Sequence, residues 1–208
     1  IINSKLSILC ITWNVGGIPS DQKYDIRDLL TQNVFYQNNH SPDIIVIGME
    51  QIVELDIYSI LTITSNEDSV FDWTDNITST LNDIFPYTYK KATVLHLIGI
   101  YCICFIKSQL NDKISVVNTN VIKTGLFGAL GNKGYITFTI NYNFSCLISF
   151  AVAHLESGQN SNQERIDTIK QILETEINNQ NLFRNSNYWV ILGDLNFRID
   201  TSFEDALI

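Results

Sequence analysis

One segment constrains this chain of 208 residues most: Trp-Val-Ile-Leu-Gly-Asp-Leu-Asn, from Trp189 to Asn196. The apolar and aromatic run from Tyr188 to Leu192 predicts a buried strand, and Gly193 then permits a sharp bend. Asp194 and Asn196 follow two positions apart, so an extended backbone points both to the same side. Such strand ends carry the reactive groups of many α/β enzymes. The same quartet also forms ordinary Asx turns, so by itself it leaves a catalytic and a structural interpretation open.

Polar residues end several other predicted strands in the same way. Asn14 follows the first strand, Glu50 and Gln51 follow the second, and His154 follows a later one. Loops that meet at one rim of a rigid sheet are the usual way to build a site. The repetition therefore predicts that these polar residues converge on one rim.

Most of the chain predicts strands with a few helices between them. Helical spacing of apolar residues indicates helices at Ile26 to Tyr36, Val70 to Phe85 and Asn162 to Ile177. Apolar runs indicate strands at Lys5 to Trp13, Asp43 to Gly48, Thr93 to Ile106, Ile114 to Ile122, Tyr135 to Tyr142 and Cys146 to Ala153. This order of elements is typical of an α+β or layered α/β sandwich.

Composition restricts the classes of partner and compartment. A chain that is 45% hydrophobic and 17% charged suits one globular domain, or most of a larger one. The net charge of −9 disfavours broad binding to nucleic acid or anionic membranes, but leaves room for a small basic pocket. All four cysteines lie in apolar strand-like segments, which favours buried free thiols. We expect a cytoplasmic monomer without a signal peptide.

Five motifs occur in an order that resembles a known family. They are Thr12-Trp13-Asn14-Val15, Gly48-Met49-Glu50-Gln51-Ile52-Val53-Glu54-Leu55, Gly131-Asn132-Lys133-Gly134, His154-Leu155-Glu156-Ser157-Gly158-Gln159 with Glu164-Arg165, and Gly193-Asp194-Leu195-Asn196-Phe197-Arg198-Ile199. Together they resemble the inositol polyphosphate 5-phosphatase domain of the endonuclease/exonuclease/phosphatase superfamily, particularly its synaptojanin-type branch. The resemblance implies a four-layered α/β sandwich. It also implies that residues 1–208 are the N-terminal two-thirds of one catalytic domain whose C-terminal part is missing. We therefore expect this piece alone to be inactive and poorly stable.

The resemblance implies a magnesium-dependent phosphatase that removes the 5-phosphate from phosphoinositides, such as a 4,5-bisphosphate lipid, or from soluble inositol polyphosphates. Asp194 would orient or deprotonate the attacking water, Asn196 would hold a phosphate oxygen, and His154 would contact the scissile phosphate. Asn132 and Lys133 would bind substrate phosphate, and Asn14 and Gln51 would hold Mg²⁺. We expect peripheral membrane contact at most, and no nucleic-acid partner. Each residue alone has an ordinary structural explanation, and only the ordered set favours catalysis.

The sequence departs from the family pattern at the metal site. Relatives carry a glutamate where this chain has neutral Gln51, and Glu50 precedes it. On an extended segment Glu50 is expected to point away from the site, unless the chain shifts by one residue. Glu156 also adds negative charge where relatives have a small residue. Two alternatives follow: a non-catalytic phosphoinositide-binding relative, or another hydrolase of the superfamily such as a nuclease or sphingomyelinase.

Overall fold

The structure, a computed structural model, describes residues 5–20, 26–35, 41–54, 67–86, 88–125, 130–174, 183–198 and 201. In chain order the elements of this part are β1 (Ile8–Asn14), α1 (Ile26–Phe35), β2 (Ile44–Glu50), α2 (Glu67–Ile84), β3 (Tyr89–Leu97), β4 (Ile100–Lys107), β5 (Ile114–Thr124), β6 (Leu130–Tyr142), β7 (Cys146–His154), α3 (Asn162–Glu174) and β8 (Tyr188–Asp194). The predicted helix ends at Tyr36 and Ile177 lie outside the described residues. None of the helices described is long and apolar enough to cross a membrane.

The strands form two four-stranded sheets. The first has the order β1-β2-β4-β3, in which β1 and β2 are parallel and the other pairs antiparallel. The second has the order β5-β6-β7-β8, in which only β7 and β8 are parallel. Parallel neighbours need a crossover, and helices α1 and α3 lie within the two crossovers.

The two sheets face each other, and helices cover the outer face of each. Alternate residues of β2 and β4 meet those of β6 and β7 between the sheets, where Phe138 stacks on Phe150 with ring centroids 4.9 Å apart. The other residues of β2 and β4 pack against α1 and α2. Ile172 of α3 packs against Ala151 and Ala153 on the outer face of the second sheet. The predicted four-layered α/β sandwich is therefore confirmed.

One predicted strand is wrong. The apolar run from Thr93 to Ile106 is two antiparallel strands, β3 and β4, in which Leu97 pairs with Ile100. Gly99 lies at the turn with a φ of 77°, a conformation that side chains with a Cβ rarely adopt. Burial on both faces makes β4 a continuous apolar run, so hydrophobicity alone does not mark the turn.

Close approach of the sheets depends on Gly48 in β2. A Cβ at this position would lie 2.7 Å from Cγ1 of Val152 in β7 and 3.4 Å from Cδ1 of Leu192 in β8. Real side chains do not tolerate the shorter distance, so any larger residue would push the sheets apart. Gly48 therefore sets the separation of the sheets two residues before β2 ends.

We expect Gly48→Val to destabilise the fold, because overpacking a filled core costs roughly 1–3 kcal/mol. Urea unfolding of the full-length protein measures the loss. Ser115→Val, which adds the same side chain at an exposed position of β5, is the matched control. Equal stability of the two variants would contradict the tight approach at Gly48.

Candidate active site

Four strands end in a polar residue on the face between the sheets. Side chains alternate along a strand, so every second residue shares a face. Val46 and Gly48 precede Glu50 on the inward face of β2, Phe150 and Val152 precede His154 on β7, and Val190 and Leu192 precede Asp194 on β8. Asn14 continues the same series on β1 and lies opposite Glu50 in register. The predicted convergence at one rim is therefore present.

A row of polar contacts joins the two sheets at this rim. Asn14 on the first sheet donates through Nδ2 to Oδ2 of Asp194 on the second, at 3.0 Å. The same Oδ2 lies 3.6 Å from Nε2 of His154, which in turn lies 2.6 Å from Nζ of Lys133. Four residues that the sequence places far apart thus form one continuous row.

His154 is held as a neutral acceptor within this row. Its side chain is buried, and burial lowers its pKa to about 4, helped by the positive charge of Lys133 and opposed by Asp194. An ammonium group can only donate, so a protonated Lys133 requires Nε2 of His154 as the acceptor and assigns the proton of the neutral ring to Nδ1. Nδ1 is buried with no hydrogen-bond partner among the described residues.

Lys133 is buried as well, unlike an ordinary loop lysine. Burial lowers its pKa, whereas the negative charges of Asp194 and Glu156 oppose that shift. Gly134 follows with a φ of 147° and pairs with His154 across the sheet, and Nζ of Lys133 lies beside Nε2 of the histidine. Asn132 precedes it, and Oδ1 of Asn132 is buried without a partner among the described residues. This corner offers an ammonium group and unfilled hydrogen-bonding positions.

Glu50 faces the site, so the expectation that it points away is wrong. Its side chain is fully buried, with Oε1 and Oε2 at 3.3 and 3.4 Å from the Thr12 hydroxyl. Burial and the charge of Asp194 together raise the pKa of Glu50 to about 8. Alternation puts Val46, Gly48 and Glu50 on one face of β2, and the packing of the two sheets makes that face the inward one.

Gln51 leaves the strand. Its φ is 56°, in the left-handed region, and its carbonyl accepts a hydrogen bond from the amide of Gly17 at 2.7 Å. Its side chain makes no hydrogen bond to any residue in the described ranges. The metal-binding role predicted for Gln51 stays a prediction.

The loop after β8 positions Asn196 beside the row. Asn196 has a φ of 53° and donates its amide to Oδ1 of Asp194 at 3.2 Å, which forms an Asx turn. Its side chain donates to the Leu155 carbonyl at 3.0 Å and accepts from Arg198 at 3.1 Å. Asn196 is therefore fixed between the loops that follow β7 and β8.

Arg165, on α3, contacts both the loop after β7 and the loop after β8. The side chain is buried and donates through one nitrogen to the carbonyls of Glu156 and Gly158, at 2.9 and 2.8 Å. Its guanidinium carbon lies 5.6 Å from the centroid of the Phe197 ring, within the range of a cation–π contact. One buried residue thus ties the loop after His154 to the loop after Asp194.

The arrangement offers oxygen ligands and cationic donors side by side. The carboxyl groups of Glu50 and Asp194 are oxygen donors of the kind that hard divalent cations prefer. Asn14 turns its Nδ2 toward Asp194, and its Oδ1 accepts a hydrogen bond from the amide of Gly16 at 3.1 Å. No group of three or more histidine, cysteine, aspartate and glutamate residues in the described ranges could hold a metal by itself. A cation here would depend on asparagine, water and substrate oxygens as well.

Comparison with known proteins places this chain in a family. The profile of the Endonuclease/Exonuclease/phosphatase family 2 matches residues 11–207. Synaptojanin of Caenorhabditis elegans is 27% identical over 97% of the chain, and phosphatidylinositol 3,4,5-trisphosphate 5-phosphatase 1 of Xenopus laevis is 32% identical over 97%. The chain spans 19% of the length of each relative.

Solved structures share the fold. The inositol polyphosphate 5-phosphatase domain of SPsynaptojanin, in complex with inositol (1,4)-bisphosphate and calcium ion, aligns with a TM-score of 0.77 and 24% identity. The alignment covers 97% of this chain and 56% of that domain. A Cimex nitrophorin in a ferrous NO complex aligns with a TM-score of 0.66 and 14% identity, over 97% of this chain and 64% of that one. The same fold therefore occurs in proteins with different described ligands.

We expect Glu50 to reduce stability as the pH rises in metal-free buffer. Its pKa is raised from 4.5 to about 8, so below pH 4.5 the carboxyl is protonated in both states. Between these values only the unfolded state ionises, so stability falls with rising pH. The free energy of unfolding of the native protein, relative to Glu50→Gln, should decline by roughly 2–4 kcal/mol across this window.

Urea unfolding of the full-length protein in EDTA at several pH values measures this difference. Glu54→Gln, which removes an exposed carboxylate four residues away, is the matched control and should follow the native profile. A native-like pH profile for Glu50→Gln would contradict the burial of an isolated carboxyl group at this position.

Proposed function

Because the chain belongs to the Endonuclease/Exonuclease/phosphatase family 2, we propose that it forms part of a magnesium-dependent phosphatase acting on the 5-phosphate of phosphoinositides or soluble inositol polyphosphates. The proposal is supported above all by the row of polar contacts formed by Lys133, His154, Asp194 and Asn14. It aligns a cation, a neutral imidazole, a carboxylate and an amide within contact distance. These are the groups needed to bind and cleave a phosphomonoester.

Asp194 is proposed to orient or deprotonate the attacking water. Its Oδ1 already holds the loop of Asn196, whereas Oδ2 faces His154 and Asn14. His154 is proposed to contact the scissile phosphate, and the Asn196 amide to hold one of its oxygens. A fixed donor such as the Asn196 amide stabilises developing charge without reorganising during the reaction.

Lys133 and Asn132 are proposed to bind substrate phosphate. Lys133 is a compact charge in a buried corner, where an ammonium interacts with phosphate more strongly than in water. The unpartnered Oδ1 of Asn132 can accept a hydrogen bond from a substrate hydroxyl group. A local cation in a chain of net charge −9 favours a small anionic ligand over a long polyanion.

The residues present fit Mg²⁺, which usually takes one or two carboxylates and completes its shell with water and substrate phosphate. Asn14 and the polar end of β2 would hold the ion, with Asp194 beside them. When bound, Mg²⁺ would supply Lewis-acid stabilisation of the phosphoryl oxygens.

The named relatives support a phosphoinositide as the substrate class, since one is a phosphatidylinositol 3,4,5-trisphosphate 5-phosphatase. A lipid substrate would require the protein to meet the membrane surface peripherally. A non-catalytic phosphoinositide-binding relative is the second candidate, because the neutral Gln51 stands where the resemblance implies a metal-binding glutamate.

The test is phosphate release by the full-length protein from vesicles containing a 4,5-bisphosphorylated inositol lipid, with and without Mg²⁺. The native protein should release phosphate only with Mg²⁺. Asp194→Asn should lower kcat by about 100-fold or more, because it removes the group that activates water.

Asp167→Asn is the matched control. It makes the same chemical change at an exposed residue of α3, so its kcat should stay within about twofold of native. Lipid binding without phosphate release by the native protein would favour the non-catalytic alternative. Release from DNA or sphingomyelin instead would reassign the substrate class.

A further inference from the structure

The order Glu50-Gln51 has a structural consequence at the proposed magnesium site. Strand β2 keeps its alternation through its last residue, so Glu50 shares the inward face with Val46 and Gly48. Asn14, the last residue of β1, lies directly opposite Glu50 in the parallel register. The first sheet therefore presents the Glu50 carboxyl group and the Asn14 amide together at the rim, the latter with its Nδ2 toward Asp194.

Glu50 is buried without a basic partner. No lysine, arginine or histidine in the described ranges forms an ion pair with it, and Lys133 acts on it only through its charge at longer range. The hydrogen bond described for its carboxyl group comes from the Thr12 hydroxyl. The Asp194 carboxylate, another negative group, lies next to it. Buried carboxylates in proteins are normally paired or bind metal ions. A divalent cation bound at this rim would stabilise the ionised form of both carboxyl groups.

Gln51 is poorly suited to the same task. The chain turns at this residue, with a φ of 56°, and the Gln51 carbonyl is engaged by the amide of Gly17. The side chain is a neutral amide and has no contact with the polar row through any described hydrogen bond. A hard cation gains less from a neutral oxygen than from a carboxylate at the same distance.

We propose that Glu50, and not Gln51, supplies the carboxylate from β2 to the divalent cation, together with Asn14. The inference rests on the proposed function, since that function brings the cation to this rim. The resemblance implies a metal-binding carboxylate at position 51. In this chain the inference places that carboxylate at position 50. The local negative charge of the site is then retained despite the glutamine.

The test is Mn²⁺ binding to the full-length protein without substrate, measured by electron paramagnetic resonance of the free ion. Glu50→Gln keeps the size and hydrogen bonding of the side chain and removes its charge. It should weaken Mn²⁺ binding about tenfold or more, because a direct ligand loses its charge. Glu54→Gln, the matched loss of an exposed carboxylate, should change the affinity by less than about threefold.

Gln51→Glu provides a second test that needs no change at Glu50. If Glu50 is the ligand, the added carboxylate lies away from the ion, and the affinity should stay within about threefold of native. A gain of about tenfold or more would assign the site to position 51 and overturn the inference. Native Mn²⁺ affinity in Glu50→Gln, or no Mn²⁺ binding by the native protein, would also overturn it.

These results are separable from those of the phosphatase assay. Mn²⁺ binding that depends on Glu50, with no phosphate release from inositol lipid, would overturn the proposed function and leave the ligand assignment standing. The opposite result is a Glu50→Gln variant that keeps native Mn²⁺ affinity and native Mg²⁺-dependent phosphate release. That result would overturn the ligand assignment and leave the proposed function standing.

Discussion

The two sheets approach each other closely at Gly48, and the candidate site depends on this contact. The missing side chain lets β2 come within van der Waals distance of Val152 and Leu192 on the facing sheet. Two residues further along each strand, the same close approach brings Glu50, His154 and Asp194 together. A larger residue at Gly48 would move Glu50 on the first sheet away from His154 and Asp194 on the second, although it touches none of these polar residues. Packing in the apolar core therefore sets the geometry of the polar rim.

The polar row gains its properties from burial. In water Lys133 would be a cation with no influence on its neighbours, and His154 would titrate near neutrality. Between the sheets the ammonium and the imidazole are in contact, and desolvation keeps the imidazole neutral. Arg165 contributes no charge to the row, but it holds the two loops that carry it. The chain thus combines a net charge of −9 with a small cationic corner.

The fold alone does not identify the chemistry. The sandwich is shared with a 5-phosphatase domain and with a nitrophorin, which are described with very different ligands. The difference must reside in the side chains and not in the strand arrangement, which the two proteins share. For this chain the informative features are the buried Lys133 beside His154 and the Asx turn that connects Asp194 with Asn196.

The sequence by itself determined the layered α/β class, the strand ends that carry polar residues and the family resemblance. These features depend on residues that are neighbours in the chain, such as alternating apolar residues and turn-forming residues. The sequence did not predict the turn at Gly99 between β3 and β4. Because β4 is buried on both faces, its apolar residues continue the hydrophobic run without a visible break. Only the tertiary structure decided which of Glu50 and Gln51 faces Asp194. That choice depends on the backbone conformation of Gln51 and on the position of a strand more than a hundred residues away. A neighbour across two sheets leaves no local signal in the sequence.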